Sequence, residues 1–230
     1  MAPQAQARVG LLVPSSNTVM EVDFARGLPG GVALHAARMY LEETTPAGES
    51  KMLDEFTIGP ARDLGTAHPD VVVFGCTSAG ALRGNDYDAE LCDRIAQVAG
   101  APVISTIRSV RDALAASGAR RIGVITPYVD ELNERIKASI EADGLDVARI
   151  AGLGITENFA IAGVCRDHIV DFASSVLGGA GIDLVFASCT NFPALDAMEF
   201  IHDRLGVPVE TSNHAVLMAT IVRLGLAAAA

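Results

Sequence analysis

From one end of the chain to the other, short runs of β-branched and aliphatic residues alternate with longer stretches whose apolar residues recur every three or four positions. The short runs, at residues 8–13, 32–39, 70–74, 102–105, 121–126, 147–153, 183–187 and 207–210, read as strands. The longer ones, at residues 18–26, 49–68, 88–99, 107–117, 129–143, 160–176, 194–205 and 213–226, read as amphipathic helices. Strict alternation of this kind is the signature of βαβ units built around a parallel sheet.

The two halves of the chain also resemble each other. Arg8-Val9-Gly10-Leu11-Leu12-Val13-Pro14 returns as Arg121-Ile122-Gly123-Val124-Ile125-Thr126-Pro127, 113 positions later. Asp70-Val71-Val72-Val73-Phe74-Gly75-Cys76-Thr77 returns as Asp183-Leu184-Val185-Phe186-Ala187-Ser188-Cys189-Thr190 with the same displacement, and Ala81-Leu82 returns as Ala194-Leu195. Separate segments sharing one displacement indicate an internal duplication. The expected fold is therefore α/β, with two pseudo-symmetric flavodoxin-like halves, residues 1–105 and 106–230. Each is a mostly parallel four-stranded sheet flanked by helices, with the C-terminal helix contributing to the first half. In open α/β sheets ligands collect beyond the carboxyl ends of the strands, which here are residues 14–17, 76–78, 126–128 and 189–191. A pseudo-twofold axis brings these four loops to one cleft between the halves, with Cys76 facing Cys189.

Composition narrows the partners. Seventeen Lys and Arg against 28 Asp and Glu leave a net charge of −11 on 230 residues, which argues against nucleic acid as a partner. No apolar run approaches the roughly 18 residues that a membrane span requires, so no membrane partner is expected. The opening residues Met1-Ala2-Pro3-Gln4-Ala5-Gln6-Ala7-Arg8 do not read as a secretory signal, and a cytoplasmic location is expected. Four cysteines without CxxC spacing read as thiols rather than a disulfide framework or zinc ribbon. His35, His68, His168 and His202 are scattered without ligand spacing, so no metal site is expected. Gly75 to Gly80 has the spacing of a phosphate-binding loop, but Ala81-Leu82 stands where Lys and Ser or Thr must be. Gly152-Leu153-Gly154-Ile155-Thr156-Glu157 lacks the third glycine of a dinucleotide loop. No cofactor is expected.

A cysteine at the carboxyl end of a strand, ahead of a helix, meets free backbone N–H groups that favour the thiolate and lower its pKa; the alternative is a buried structural thiol. Two such thiols at repeat-related positions suit a reaction in which one adds to carbon or takes a proton on one face of a substrate while the other donates on the opposite face. Thr77, Ser78, Thr190 and Asn191 offer hydroxyl and amide donors for a carboxylate or enediolate oxygen, or simply cap the helices that follow. Pro14 and Asn17 belong to the first loop and Tyr128 to the third. Asn17 and Asn158 have helix capping as their alternative role, and Tyr128 that of a turn residue. Cys92 and Cys165, within helical patterns and without repeat partners, read as small core residues, and His214 is left outside the site.

The segment Val13-Pro14-Ser15-Ser16-Asn17-Thr18-Val19-Met20-Glu21 resembles the opening of maleate cis-trans isomerases, members of the aspartate/glutamate racemase superfamily. Thr126-Pro127-Tyr128, Glu157-Asn158, Ser188-Cys189-Thr190-Asn191 and Val209-Glu210-Thr211-Ser212-Asn213 follow in that family's order. The resemblance implies a cofactor-independent isomerase of a small dicarboxylate, assembled as a homodimer or higher homo-oligomer. It implies that Cys76 adds to the double bond, that Cys189 handles the proton, and that Asn17, Tyr128 and Asn158 hold carboxylates. The stretch from Thr126 to Arg135, with Cys76-Thr77-Ser78, also resembles arylmalonate decarboxylases of the same superfamily, which carry one catalytic cysteine, matching Cys189, and glycine where this chain has Cys76. Racemisation or decarboxylation through an enediolate is therefore the alternative reaction, and a carboxylate-binding module without turnover the alternative outside enzymes.

Overall fold

The computed structural model describes residues 5–226; the first four residues of the N-terminal segment considered above lie outside the described residues. The first half runs β1 (Ala7–Pro14), α1 (Met20–Gly27), β2 (Val32–Met39), α2 (Pro46–Glu55), α3 (Ile58–Gly65), β3 (Val71–Phe74), α4 (Ser78–Arg83), α5 (Asn85–Ala99) and β4 (Val103–Ser105). The second runs α6 (Thr106–Ala116), β5 (Arg121–Thr126), α7 (Asp130–Glu141), β6 (Asp146–Gly152), α8 (Asn158–Ile161), α9 (Arg166–Leu177), β7 (Leu184–Ala187), a 3-10 turn (Leu195–Ala197), α10 (Met198–Leu205), β8 (Val209–Thr211) and α11 (Ser212–Arg223). The strands form two four-stranded sheets of the same order, β2-β1-β3-β4 and β6-β5-β7-β8, with every pairing parallel.

The continuous apolar runs reflect sheets covered on both faces. In the first sheet Val9, Leu11, Val13, Val71 and Val73 point to one side, where they meet Met20 and Phe24 of α1. Leu12, Val72 and Phe74 point to the other, toward Leu64 of α3 and Leu91 and Ile95 of α5. The glycine repeated in β1 and β5 lets a helix approach closely: a Cβ on Gly10 would lie 3.0 Å from Leu64, and one on Gly123 would lie 2.8 Å from Leu177.

The helix that follows the last strand of each sheet packs on the other sheet. α11 places Val216, Leu217 and Ile221 in the core of the first sheet, whereas α6 places Ile107, Val110 and Leu114 among Ile136, Ile140 and Phe186 of the second. Both helices begin at a strand end and are capped alike: the Ser105 hydroxyl accepts from Arg108 N at 3.2 Å, and the Thr211 hydroxyl from His214 N at 3.0 Å.

Two expected helices are broken. The stretch 49–68 is α2 and α3, because Pro60 lacks an N–H and fits only near the start of a helix; the chain restarts at Thr57, whose hydroxyl donates to Met52 O at 2.9 Å. The stretch 160–176 is α8 and α9, parted at residues 162–165 around Gly163. The expected strand at 207–210 lies at Val209–Thr211, since Pro208 has no N–H to donate to the ladder. Cys165 is not a core residue: it is exposed, at the N-cap of α9, and Cys92 is only half-buried.

At the end of β6, a Cβ on Gly152 would lie 2.1 Å from the carbonyl oxygen of Tyr128 and 2.5 Å from Asn133 Nδ2. Gly152→Ala is expected to lower Tm by about 5 °C, corresponding to about 1–3 kcal/mol of overpacking. Gly30→Ala, with nothing within 4 Å of the added carbon, is the matched control and is expected to leave Tm unchanged.

Candidate active site

The four strand ends that point at the boundary between the sheets carry the residues singled out from sequence. Cys76 follows β3 and is 3% exposed; Cys189 follows β7 and is 5% exposed. Asn17, Thr77, Ser78, Tyr128, Asn158, Thr190 and Asn191 are each buried as well, and Pro14 is the buried last residue of β1. Hydrogen bonds tie together the loops that carry them.

Ser212, the first residue of α11, is the bridge between the two cysteine loops. Its hydroxyl oxygen accepts from Thr77 Oγ1 at 3.0 Å and from the backbone N–H of Cys189 at 3.1 Å. Thr190 makes a second link, donating its hydroxyl to Gly75 O at 3.1 Å and accepting from Asn17 Nδ2 at 3.0 Å. Asn17 also caps the start of α1, its Oδ1 accepting from the N–H groups of Val19 and Met20, and its own N–H donates to Pro14 O. Capping and membership of the site are thus both true of Asn17.

The loops after β2 and β6 are joined across the same region. Thr44 N donates to Thr156 O at 2.7 Å, Asn158 N donates to Glu42 O at 2.9 Å, and Glu43 and Glu157 form an isolated antiparallel bridge. The Asn158 side chain donates to Ser16 Oγ at 2.8 Å and accepts from Thr44 Oγ1 at 3.0 Å, while its carbonyl accepts from Asn191 Nδ2 at 2.6 Å. Asn191 Oδ1 accepts in turn from Thr18 N.

The expected setting of Cys189 needs correction. No helix starts directly after it; a turn does, and the backbone at Cys189 has φ +153°, a region L-residues rarely adopt. That conformation lets Cys189 Sγ accept from the N–H of Asn191 at 3.2 Å and from that of Phe192, while the Tyr128 hydroxyl donates to the same sulfur. These bonds favour the thiolate, yet desolvation outweighs them and pushes the thiol up to about 12 instead of lowering it. Cys189 therefore rests as a thiol. Tyr128, within Coulombic reach of Cys189, Glu49 and Cys76, is raised well above its ordinary value, chiefly by burial.

Site residues missed from sequence include Ser16, Thr44 and Asn213, which bond to Asn158 and Thr190, as well as Ser212 and Glu49. Ser212 lay in a quoted segment but had no reason to be chosen over its neighbours. Glu49, in the first turn of α2, stood at the start of the expected helix 49–68 with nothing to single it out. It is completely buried, its Oε1 accepts from the Ser78 hydroxyl, and its Oε2 has no partner. The Ser78 oxygen is in turn 3.9 Å from Cys76 Sγ. Thr45 and Pro46 set the entry of α2, with Thr45 Oγ1 accepting from Gly48 N, and a Cβ on Gly48 would lie 2.4 Å from Glu43 O. This tight return aims Glu49 inward.

Burial pushes the Glu49 carboxyl up to about 7 from 4.5. A carboxyl that binds its proton more tightly in the fold than in the unfolded chain contributes stability below its unfolded pKa and loses it as pH rises through the folded one. The loss therefore spans about pH 4.5 to 7. Relative to wild type, Glu49→Gln is expected to be about 2 kcal/mol more favourable at pH 8 than at pH 5, measured by urea unfolding at both. Ser212→Ala leaves Thr77 Oγ1 and Cys189 N without their shared acceptor and is expected to cost about 1–3 kcal/mol in the same assay.

Comparison with known proteins agrees with this arrangement. A family profile described as arylmalonate decarboxylase matches residues 9–230. Maleate isomerase of Geobacillus stearothermophilus is 28% identical over 232 residues, covering 95% of this chain and 92% of its own. Arylmalonate decarboxylase of Bordetella bronchiseptica is 31% identical over 208 residues, covering 90% and 86%. A cysteine-to-alanine form of the maleate isomerase Iso from Pseudomonas putida S16, solved with maleate, has a TM-score of 0.89 at 26% identity over 96% of this chain and 92% of that one. A liganded arylmalonate decarboxylase carrying glycine-to-cysteine and cysteine-to-serine substitutions has a TM-score of 0.87 at 29% identity over 98% and 96%. With duplicated parallel sheets and a match over almost its whole length, this chain belongs to the arylmalonate decarboxylase family, with maleate isomerases among its relatives.

Proposed function

We propose that the protein is a cofactor-independent cis-trans isomerase of a small unsaturated dicarboxylate of the maleate type. The observation that carries this reading is the pair of repeat-related buried thiols, Cys76 and Cys189, on two loops that Ser212 joins. The relatives named maleate isomerase support it, at 25–29% identity over 88–95% of the chain.

In this mechanism the Cys76 thiolate adds to one olefinic carbon, forming a C–S bond as the π pair moves to the other carbon and its carboxylate. Cys189, resting as a thiol, delivers its proton to that carbon, leaving a single bond free to rotate. The Cys189 thiolate then takes the proton back, the C–S bond breaks, and the trans diacid leaves with no net change of oxidation state. The Tyr128 hydroxyl and the N–H groups of Asn191 and Phe192 stabilise the transient Cys189 thiolate. Asn17, Asn158, Thr77, Ser78, Thr190, Asn191 and the Pro14 loop supply hydroxyl and amide contacts to the carboxylates. Division of the chain into halves at residues 105 and 106, assembly as a homodimer or higher homo-oligomer, and residence in the cytoplasm are parts of the same proposal, the assembly carried by the resemblance alone.

Proton NMR of the protein with maleate in deuterated buffer tests the reaction. Fumarate is expected with wild type, and Cys76→Ala and Cys189→Ala are each expected to reduce its formation about 1,000-fold or more. Activity that survives in Cys76→Ala while vanishing in Cys189→Ala overturns the two-thiol mechanism. It would favour decarboxylation of a substituted malonate, a reading that the 31% identical decarboxylase relative and the Thr77-Ser78 hydroxyls support. Tyr128→Phe removes one hydrogen bond to the developing thiolate and is expected to lower kcat about 10- to 100-fold.

A further inference from the structure

The carboxyl of Glu49 is completely buried beside Ser78 and Cys76, and the mechanism above does not use it. One oxygen is occupied by Ser78, which also reaches toward Cys76. The other is buried without a partner. Orphaned buried carboxyl oxygens are costly, and they are expected where a ligand completes the hydrogen bonding. We propose that Glu49 contacts the substrate, donating a hydrogen bond from a neutral carboxyl group to one of its carboxylates, so that binding a dicarboxylate takes up a proton. The inference rests on the dicarboxylate reading of the cleft.

The surroundings of Glu49 fit a neutral acid. Among the described residues no cation lies within ion-pair distance of it. On its own helix Lys51, Asp54 and Glu55 are exposed. From α4, Arg83 is turned to Asp54 and to Tyr87 of α5. On β2, His35 is exposed, and Arg38 is taken by Glu21 and the carbonyls of Ser15 and Asn17. The strand ends bring Cys76, Tyr128 and Cys189, and the last two are held in their neutral forms by burial. With no cation to balance it, an ionised Glu49 beside a bound dianion is a like-charge pair in a dry site, which raises the carboxyl further. Protonated, Glu49 places an O–H where an anion needs a donor, as neutral carboxylic acids do in other enzyme sites. Ser78 then fixes the rotamer by occupying the other oxygen.

The experiment uses succinate, a dicarboxylate with no double bond to isomerise, and isothermal titration calorimetry between pH 6.5 and 8.5 in pairs of buffers of different ionisation enthalpy. Wild type is expected to take up protons on binding, approaching one per site at pH 8, with affinity falling about tenfold or more across the range. Glu49→Gln, whose amide keeps a donor but cannot ionise, is expected to bind with no linked proton and no pH dependence, and to bind more tightly than wild type at pH 8.5. Maleate kinetics should follow, with KM rather than kcat carrying the pH dependence. Succinate binding without proton uptake by wild type overturns the role of Glu49 and leaves the isomerase reading standing, and this arm needs no variant to fold. If neither succinate nor maleate binds at any pH, the dicarboxylate reading falls, and this inference falls with it.

Discussion

Each sheet has an apolar face covered by the helix that follows the other sheet. α11 leaves the second sheet and supplies Val216, Leu217 and Ile221 to the first core, while α6 leaves the first sheet and supplies Ile107, Val110 and Leu114 to the second. Side chains of this size are worth about 1.5–3 kcal/mol each when fully buried. Six of them across the boundary bind the two sheets together far more firmly than the surface ion pairs can, since such pairs contribute about 0–1 kcal/mol each. The exchange also fixes direction. Both helices spring from the carboxyl ends of edge strands, so packing each on the opposite sheet brings those ends together.

The polar site follows from that constraint. Opposed strand ends carry unpaired N–H and C=O groups into a closed interior, where each must find a partner. The network of Asn17, Thr77, Asn158, Thr190, Asn191 and Ser212 supplies them, mostly between segments more than a hundred residues apart. Ser212 shows the coupling most directly, because it is both the first residue of the exchanged helix and the acceptor shared by the two cysteine loops. A shift of α11 would therefore move the thiols relative to each other. The unusual backbone at Cys189 is held in the same way, by bonds to its N–H and its sulfur from three directions.

Much of this was legible in the sequence, for identifiable reasons. Periodicity located all eight strands, and the 113-residue displacement implied a second sheet built like the first, which the identical strand orders bear out. The helix breaks at residues 56–57 and 162–165 were harder to see, because apolar spacing continues across them and only Pro60 and Gly163 mark the interruption. Burial was least legible. The sign of the Cys189 shift depends on how completely water is excluded, which local sequence does not encode. Glu49 looks like any other acidic residue at a helix start, and what makes it distinctive is the tight return at Gly48 and the Ser78 hydroxyl, neither of which lies beside it in sequence.

The electrostatic consequence of that burial shapes the chemistry the cleft can support. The protein carries a net charge of −11, the one cation bonded to the network among the described residues, Arg38, is taken by Glu21 and by the carbonyls of Ser15 and Asn17, and Cys189, Tyr128 and Glu49 are all displaced toward their neutral forms. A site of this kind does not attract a dianion by opposite charge. It offers N–H, amide, hydroxyl and neutral-acid donors fixed in place before the ligand arrives, in surroundings of low dielectric where each is worth more than in water. Charge then enters with the substrate, and it is the substrate's own carboxylates that perturb the proton positions of the groups around them. For an addition that is followed by the reverse elimination at the same carbons, groups poised as neutral donors have an advantage over fixed cations. They can give up a proton as the carbon accepts one and recover it when the carbon–sulfur bond breaks, without a permanent countercharge holding the intermediate in place.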